Sequence, residues 1–282
     1  MKTDCHIHML FDSGYWKAAI DRHRHQPNTA FIRATLARYR EKGYTYLRDG
    51  GDRWGAGAAA RELAPEYGIT YRTPLAPLCK AGHYGAFIGT TYENFSDYAA
   101  LVKKARRDGA DFIKIMISGL MDFDHAGVLT EVGLPAHEIR ELSHIAHEEG
   151  FSVMAHCNGA RTMEAAALAG VDSIEHGAYA DPAALDTLIE TGTVWVPTLS
   201  TVANLRGNGR FNEAAVCAIY ETAAQNIRYF AAHGGLLAVG SDAGAWAVPH
   251  GMESEEALLT QLLGEGADHI LSRGNHAIVE KF

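Results

Sequence analysis

Residues 2–8 read Lys-Thr-Asp-Cys-His-Ile-His, and this stretch sets the pattern for the rest of the chain. Its length and its alternation of side chains predict a β-strand, in which His6 and His8 point to one side and Ile7 points to the other. The predicted strand therefore ends with two imidazoles directed at one place. A lone His-x-His pair occurs often by chance, so its meaning depends on what the later strands carry.

Seven further short apolar runs follow, and segments with helical spacing of their apolar residues separate them. Predicted strands cover residues 2–8, 44–49, 69–75, 112–117, 152–156, 172–176, 194–197 and 236–242. Predicted helices cover residues 29–42, 57–67, 94–108, 135–149, 161–169, 182–191, 212–233 and 254–263. Strands joined by crossover helices pair in parallel, so eight such units predict an α/β fold, a single (β/α)8 TIM barrel over residues 1–282. An open doubly wound sheet is the alternative, which the lack of a glycine-rich phosphate loop disfavours.

Composition narrows the class of protein and its partners. The 282 residues carry a formal charge of −9 with no block of Lys or Arg, which argues against nucleic acid or an anionic membrane as partner. The four scattered cysteines show no CxxC spacing and are expected to be free thiols. No apolar run is long enough for a membrane span, and the first strand leaves no room for a signal peptide. We therefore expect a cytoplasmic protein with a small-molecule substrate, and a homo-oligomer is compatible with these properties.

Ionisable residues recur at or near the ends of the later strands. Lys114 lies in the fourth predicted strand, His156 and His176 end the fifth and sixth, and Asp242 ends the eighth. Burying such groups without partners would cost several kcal/mol each, on the order of 2–7 for a polar group. The carboxyl ends of barrel strands meet at one face, so these residues and the two histidines of the first strand should converge there. A metal site is the interpretation that explains the presence of all six residues.

With these residues in place, the sequence resembles the amidohydrolase superfamily, in the subgroup with two metals bridged by a carboxylated lysine. Longer stretches resemble its imidazolonepropionase-like branch, which includes prolidases and Xaa-Arg carboxypeptidases: residues 110–118, 144–159, 170–177, 194–199 and 239–251. Two departures stand out. Members usually carry a small β-sandwich from segments before the first strand and after the last helix, and from residues 1–282 we expect a barrel without that sandwich. Cys157-Asn158-Gly159 follow the fifth-strand histidine, so peptidase specificity is not carried over from that position.

The resemblance implies a ligand set and a mechanism. His6, His8 and Asp242 would hold one divalent ion, His156 and His176 the other, and carboxylated Lys114 would bridge them. Zinc is the expected metal, because imidazole and carboxylate ligands suit it. A hydroxide bridging the two ions would attack the substrate, and Asp242 would act as the catalytic base.

The expected activity is hydrolysis of an amide-type C–N bond in a small molecule such as a dipeptide, an N-acyl amino acid or a cyclic amide. A lactonase or esterase on the same site is the alternative enzyme, because the same metals serve both bonds. An inactive metal-binding relative is the non-enzymatic alternative, which the retention of Asp242 disfavours. A deaminase with one metal would not need Lys114.

Other polar residues give weaker signals. The irregular stretches 79–90 and 120–133 follow the third and fourth strands, where loops meet substrate. His83, Tyr84, His125 and His250 are the candidate substrate-binding residues, and a solvated loop is the alternative for each. Asp4 either supports the metal ligands or packs inside the barrel. Cys5 and Cys157 are expected to be packing residues, and His23 and His25 to be solvated.

Overall fold

Parallel strands alternate with helices along the computed structural model, which describes residues 1–282. The strands are β1 (Lys2–Ile7), β2 (Tyr44–Asp49), β3 (Thr70–Arg72), β4 (Leu78–Lys80), β5 (Thr90–Tyr92), β6 (Ile113–Met116), β7 (Val153–Cys157), β8 (Ser173–His176) and β9 (Val194–Val196). The helices are α1 (Trp16–His23), α2 (Thr29–Glu41), α3 (Ala56–Leu63), α4 (Phe95–Arg107), α5 (Ala136–Glu148), α6 (Ala160–Leu168), α7 (Pro182–Thr191), α8 (Ser200–Ala203), α9 (Glu213–Ala232), α10 (Ser254–Leu263) and α11 (Ala267–Lys281).

All strand pairs are parallel, as the alternation of strands and helices predicts. One sheet has the order β1-β2-β3 and the other the order β5-β4-β6-β7-β8-β9. The third predicted strand, residues 69–75, is only partly regular: β3 ends at Arg72, two prolines follow at positions 74 and 77, and β4 then pairs with β6. The stretch 79–90 is predicted to be irregular, but it begins within the short strand β4 and ends at the first residue of β5.

The eighth predicted strand, residues 236–242, contains one isolated parallel bridge in place of a continuous ladder, and a second bridge follows it at Ala243. Leu237 bridges to Trp195 of β9, and the amide of Cys5 in β1 donates to the Val239 carbonyl at 2.8 Å. Gly240 passes so close to β1 and β9 that a Cβ there would lie 2.4 Å from Val196. This segment therefore lies between β9 and β1, although its backbone departs from regular strand geometry.

The helices agree with the predicted ranges within a few residues, and three were missed: α1, α8 and α11. Helix α11 buries Ala267, Leu271, Gly274 and Ile278 along one stripe. Gly274 lies where a Cβ would approach the Leu237 carbonyl oxygen to 2.0 Å, so glycine permits the helix to pack directly on that segment. A glycine in mid-helix weakens the sequence signal for a helix, which explains the omission. No helix has the length and apolar character that a bilayer crossing requires.

Along a strand, side chains alternate between those that face the apolar core and those that face the site. Ile113 and Ile115 of β6 are buried in the large cluster that packs against the helices, whereas Lys114 between them faces the opposite side. Each such isoleucine contributes about 1.5–3 kcal/mol by burial. Cys157 is buried in the same cluster and Cys5 in a second one, so both are packing residues as predicted. All four cysteines are free thiols.

One histidine prediction is wrong. His23 is buried, with only 1% of its surface exposed, and its Nδ1 accepts a hydrogen bond from the Asn28 amide at 3.2 Å. Its ring also lies edge-on to Phe31, with centroids 5.7 Å apart. The chain between α1 and α2 folds back over this side chain, which local sequence does not reveal. His25 is exposed, as expected.

Candidate metal centre

The strand ends bring the six predicted site residues to one region. His6 lies in β1 and His8 directly after it, Lys114 lies in β6, His156 in β7, His176 at the end of β8 and Asp242 in the segment 236–242. The ring centroids of His6 and His176 are 5.1 Å apart, and those of His156 and His176 are 4.6 Å apart. All except His176, which is partly buried, fall in the buried class. Their convergence follows from parallel strands whose carboxyl ends meet at one edge.

Three of these residues form a tight triangle of potential ligand atoms. The His6 and His8 Nε2 atoms are 3.4 Å apart, and Asp242 Oδ1 lies 3.5 Å from the first and 3.3 Å from the second. Ligands arranged tetrahedrally around a zinc ion at about 2.0–2.2 Å lie roughly 3.3–3.6 Å from one another. Asp242 Oδ1 is also buried without any hydrogen-bond partner in the protein. The triangle therefore fits a divalent ion.

The histidines are held in the neutral form that a metal requires. Burial lowers the pKa of His8 and of His156 to about 3, with the Lys114 ammonium as the next cause. Burial also holds the pKa of His6 and His176 well below the usual range. Neutral imidazoles keep a free nitrogen lone pair at neutral pH, so no proton competes with an ion for them.

A buried acid that the sequence analysis did not identify fixes the orientation of His6. Glu175 Oε2 accepts a hydrogen bond from His6 Nδ1 at 2.7 Å, which leaves the lone pair of His6 on Nε2, inside the triangle. The other oxygen, Oε1, accepts from Arg48 at 2.8 Å and from the Ser173 hydroxyl at 2.6 Å. Glu175 and Arg48 are both fully buried. The sequence does offer one signal for this pair, because Arg48 and Glu175 are charged residues within predicted strands that should be buried.

The second pair of histidines is oriented by its own partners. His156 Nε2 donates to the Gly119 carbonyl at 3.1 Å, which leaves its Nδ1 as the lone-pair nitrogen. His176 Nδ1 lies 2.8 Å from the Thr198 hydroxyl. His176 and Asp242 adopt φ values of 69° and 58°, a conformation that non-glycine residues adopt only at a cost of about 1–3 kcal/mol. Such strain is typical of sites whose geometry is fixed by the surrounding structure.

Lys114 and Asp242 both have shifted pKa values. Burial lowers the pKa of Lys114 to about 8, so its amine is more easily deprotonated than that of an exposed lysine. Burial raises the pKa of Asp242 to about 7 in the metal-free protein, against the opposing effect of Lys114. Burial therefore shifts the pKa values of both residues toward neutral pH.

Asp4 supports the segment that carries Asp242. Its Oδ2 accepts from the Ser241 hydroxyl at 2.6 Å, and its Oδ1 accepts from the Ser241 amide at 2.9 Å. Both hydrogen bonds anchor the residue immediately before Asp242. The sequence left open whether Asp4 supports the metal ligands or packs inside the barrel. These contacts agree with a supporting role.

A cavity of about 520 Å³ opens over the site. Its inner end is lined by His8, Lys114, His156, His176 and Asp242. Among the four loop candidates only Tyr84 lines it, with its ring centroid 4.8 Å from that of His156.

The other three loop candidates lie outside this lining. His83 pairs with Glu131, and the His125 side chain is 71% exposed beside Asp122. His250 is buried, with its Nε2 on the Phe11 carbonyl and its Nδ1 on the Tyr39 hydroxyl. Their loops follow the correct strands, but the backbone directs these side chains elsewhere, which sequence position alone does not reveal.

Comparison with known proteins identifies the family to which the chain belongs. Residues 4–268 match the amidohydrolase family, and the chain belongs to that family. It is 24% identical over 233 residues to ochratoxinase from Aspergillus niger, a match that covers 71% of this chain and 47% of that protein. The chain thus spans about half the length of the curated relatives it matches.

Solved structures share the fold over nearly the whole chain. A Xaa-Pro dipeptidase with bound methionine superposes with a TM-score of 0.78 at 22% identity, covering 99% of this chain and 75% of the other. The A. niger ochratoxinase structure gives a TM-score of 0.76 at 20% identity, covering 98% and 68%. A prolidase complexed with N-methylphosphonate-L-proline gives 0.73 at 24%, covering 99% and 71%.

Proposed function

We propose that this protein is a metal-dependent hydrolase that cleaves an amide-type C–N bond in a small molecule. The observation that carries the proposal is the triangle of His6 Nε2, His8 Nε2 and Asp242 Oδ1 at the inner end of a cavity of substrate size. A buried carboxylate oxygen without a hydrogen-bond partner beside two neutral imidazoles is costly unless a cation binds there. Relatives named as a Xaa-Pro dipeptidase and an ochratoxinase support the amide over an ester or lactone.

A second ion would bind to His156 and His176, with Lys114 between the two positions. A lysine ammonium cannot bind a metal, but its neutral amine can attack carbon dioxide, form a C–N bond and lose a proton to give a carbamate. The lowered pKa of Lys114, about 8, favours that reaction. The carbamate offers two oxygens, enough to bridge two ions.

When bound, the ions, most simply zinc, would supply Lewis acidity toward the scissile carbonyl and toward water. The chain's own groups would do the rest. Asp242 would accept the proton from the attacking water and pass it to the leaving nitrogen. Glu175 would hold His6, and Ser241 with Asp4 would hold Asp242, so that neither moves during the reaction. Tyr84 and the apolar cavity walls would limit the access of bulk water.

We further propose that the two sheets and the segment 236–242 form one closed eight-stranded barrel within a single domain of residues 1–282, with β3 and β4 as one interrupted strand and β5 outside the barrel. The bridge of Leu237 to Trp195 in β9 and the bridge of Ala243 to Ile7 in β1 support closure on one side. On the other side, the Asp111 amide, just before β6, donates to the Thr73 carbonyl, just after β3, at 3.0 Å.

The test combines metal content with turnover. We expect about two divalent ions per chain after supply of zinc and bicarbonate, and hydrolysis within a panel of dipeptides, N-acyl amino acids, cyclic amides and lactones. Turnover of lactones alone would favour the esterase alternative. Bound metal without any turnover would favour the inactive relative.

Lys114→Ala tests the bridging role. We expect loss of one of the two ions and nearly all activity, with partial recovery of both by added short carboxylic acids. Lys104→Ala, on the exposed surface of α4, is the matched control and should retain both. Full metal content in Lys114→Ala would contradict the carbamate.

A further inference from the structure

Glu255 is a buried acid that the proposed chemistry does not use. It lies in the first turn of α10, and only 1% of its surface is exposed. Its Oε1 accepts a hydrogen bond from the Leu199 amide at 2.9 Å, and its Oε2 accepts one from the Ser200 amide at 2.6 Å. Both carboxylate oxygens therefore hold the backbone of one short turn, residues 198–200, which follows β9.

The 198–200 turn starts with a residue in an unfavourable conformation. Thr198 has a φ of 47°, in the left-handed region that β-branched residues rarely adopt. The two amides that Glu255 holds come directly after it. Because a strained residue relaxes unless its surroundings fix it, the carboxylate helps to keep Thr198 in this conformation.

One end of this turn contacts a predicted ligand of the second ion. Thr198 Oγ1 lies 2.8 Å from His176 Nδ1. When His176 Nδ1–H donates to this hydroxyl, the lone pair of the ring is on Nε2, the nitrogen that remains for an ion. The turn therefore affects both the orientation of the His176 ring and the nitrogen that it offers.

The other end of the turn contacts the segment that carries Asp242. The Ser200 hydroxyl donates to the Ser241 carbonyl at 2.9 Å, and that carbonyl belongs to the peptide bond between Ser241 and Asp242. Asp4 accepts hydrogen bonds from the amide and the hydroxyl of the same serine. Ser241 is thus held from two sides, by Asp4 of β1 and by the 198–200 turn.

We propose that Glu255 is a positioning residue for both metal positions, because the turn that it holds contacts His176 at one end and Ser241 at the other. This inference rests on the proposed metal-dependent hydrolysis. Glu255 does not line the cavity, so it acts through the turn alone. A glutamine would accept only one of the two amides with its single oxygen, since its NH2 group is a donor and would face the second amide.

The chain offers a matched control next to this residue. Glu256 belongs to the same turn of α10, its side chain is 47% exposed, and Glu256→Gln makes the same chemical change as Glu255→Gln. Two milder variants cut the two ends of the 198–200 turn separately. Thr198→Val removes the hydroxyl at one end, and Ser200→Ala removes the hydroxyl at the other.

The zinc affinity of each metal-free variant is measured by competition with a chelator, and its folding is checked by circular dichroism. We expect Glu255→Gln to bind both ions about 10- to 100-fold more weakly than the wild type, as is usual when a partner of a metal ligand is lost. Thr198→Val should weaken only the second ion, Ser200→Ala only the ion at the triangle, and Glu256→Gln neither. Adding Thr198→Val to Glu255→Gln should weaken the second ion by less than about threefold more, because both changes disrupt the same contact.

Nuclear magnetic resonance of protein with isotope-labelled histidine, in saturating zinc, separates a positioning role from a general loss of stability. In the wild type, the hydrogen bond to Thr198 should protect the His176 Nδ1–H from exchange with water. Glu255→Gln should remove this protection. The His6 Nδ1–H, which donates to Glu175, should keep its protection in both proteins.

Wild-type affinity for both ions in Glu255→Gln, an equal loss in Glu256→Gln, or loss of protection at His6 as well overturns the positioning role. If Glu255→Gln does not fold, the milder variants decide, and unchanged zinc affinity in both Thr198→Val and Ser200→Ala overturns it. Failure of the proposed function gives a different result. The expected pattern of zinc affinities, with no amide hydrolysed by the wild type, would leave the role of Glu255 in place and reject the hydrolase.

Discussion

The inner end and the mouth of the cavity are built by opposite means. At the inner end, ionisable side chains project from strands, and buried hydrogen bonds orient them, as Glu175 does for His6 and Asp4 does for the residue before Asp242. At the mouth, aromatic side chains and one arginine project from loops and from the start of α1, and half-exposed stacking contacts hold them. Buried contacts thus fix the inner end, where we propose that the chemistry takes place, and we expect the mouth to tolerate changes without disturbing it.

This difference has an energetic origin. A charged group buried without a partner costs several kcal/mol, so each change at the inner end propagates to its neighbours. A stacked pair at the surface is worth about 0.5–1.5 kcal/mol, so a change at the mouth has a local effect. Substitutions at the two regions should therefore differ in size and in the kinetic constant affected.

The largest effect is expected for Asp242→Asn at the inner end. The amide keeps an oxygen for the metal but cannot take a proton, so kcat should fall about 10²- to 10⁴-fold while the fold and much of the metal remain. Steady-state kinetics measures kcat, and metal analysis measures the bound metal. Asp268→Asn, on the exposed start of α11, is the control and should match the wild type.

The wild-type pH profile gives the same residue a second test. The pKa of Asp242 is raised to about 7 without metal, and bound cations favour the carboxylate, so the acidic limb of kcat/KM should lie below pH 7. A near wild-type rate in Asp242→Asn would make Asp242 a ligand only. The base would then have to lie among other residues that line the cavity, since His125 and His250 do not.

An intermediate effect is expected for Glu175→Gln. The substitution removes the negative charge that His6 Nδ1 and Arg48 share, so metal affinity should fall about 10- to 100-fold and activity should recover at saturating metal. Chelator competition measures the affinity. The unpaired Arg48 charge should also lower the free energy of unfolding, by up to about 3–5 kcal/mol.

A double variant separates these two consequences of Glu175→Gln. Arg48→Met combined with Glu175→Gln removes the stranded cation and should recover stability while metal affinity stays low. Recovery of metal affinity together with stability would show that Glu175 acts on the fold and not on His6.

The difference between the inner end and the mouth also explains which site residues could be predicted from the sequence. The six residues of the inner end are recognisable because each is an ionisable group in or beside an apolar strand, and the parallel order of strands fixes where they meet. The buried pair of Arg48 and Glu175 is different, because the two residues are 127 positions apart and their contact depends on how the sheets come together. Only tertiary structure distinguishes such a pair from isolated strand charges.

Details of the backbone conformation could not be predicted from the sequence either. The segment 236–242 has the apolar character of a strand, but Gly240 and the left-handed conformation of Asp242 interrupt its ladder. At the mouth, side-chain direction was the missing information: the loops around His83, His125 and His250 were correctly placed after their strands, and these side chains still point away from the cavity. The sequence did not identify Arg210 as a residue that lines the cavity, because an arginine in a polar loop resembles any solvated residue.

The smallest effect is expected for Trp246→Ala at the mouth. Trp246 is 43% exposed and lines the cavity, so its removal should raise KM for an N-acyl substrate with a bulky aromatic acyl group about 2- to 10-fold through loss of one aromatic contact. The value of kcat should not change, because the inner end is untouched. An acetyl substrate, which is too small to reach this ring, should be unaffected. Phe95→Ala, an exposed aromatic on α4 outside the cavity, controls for general loss of surface aromatics. A fall in kcat for both substrates would mean that the mouth and the inner end are coupled, and the division drawn between them would be wrong.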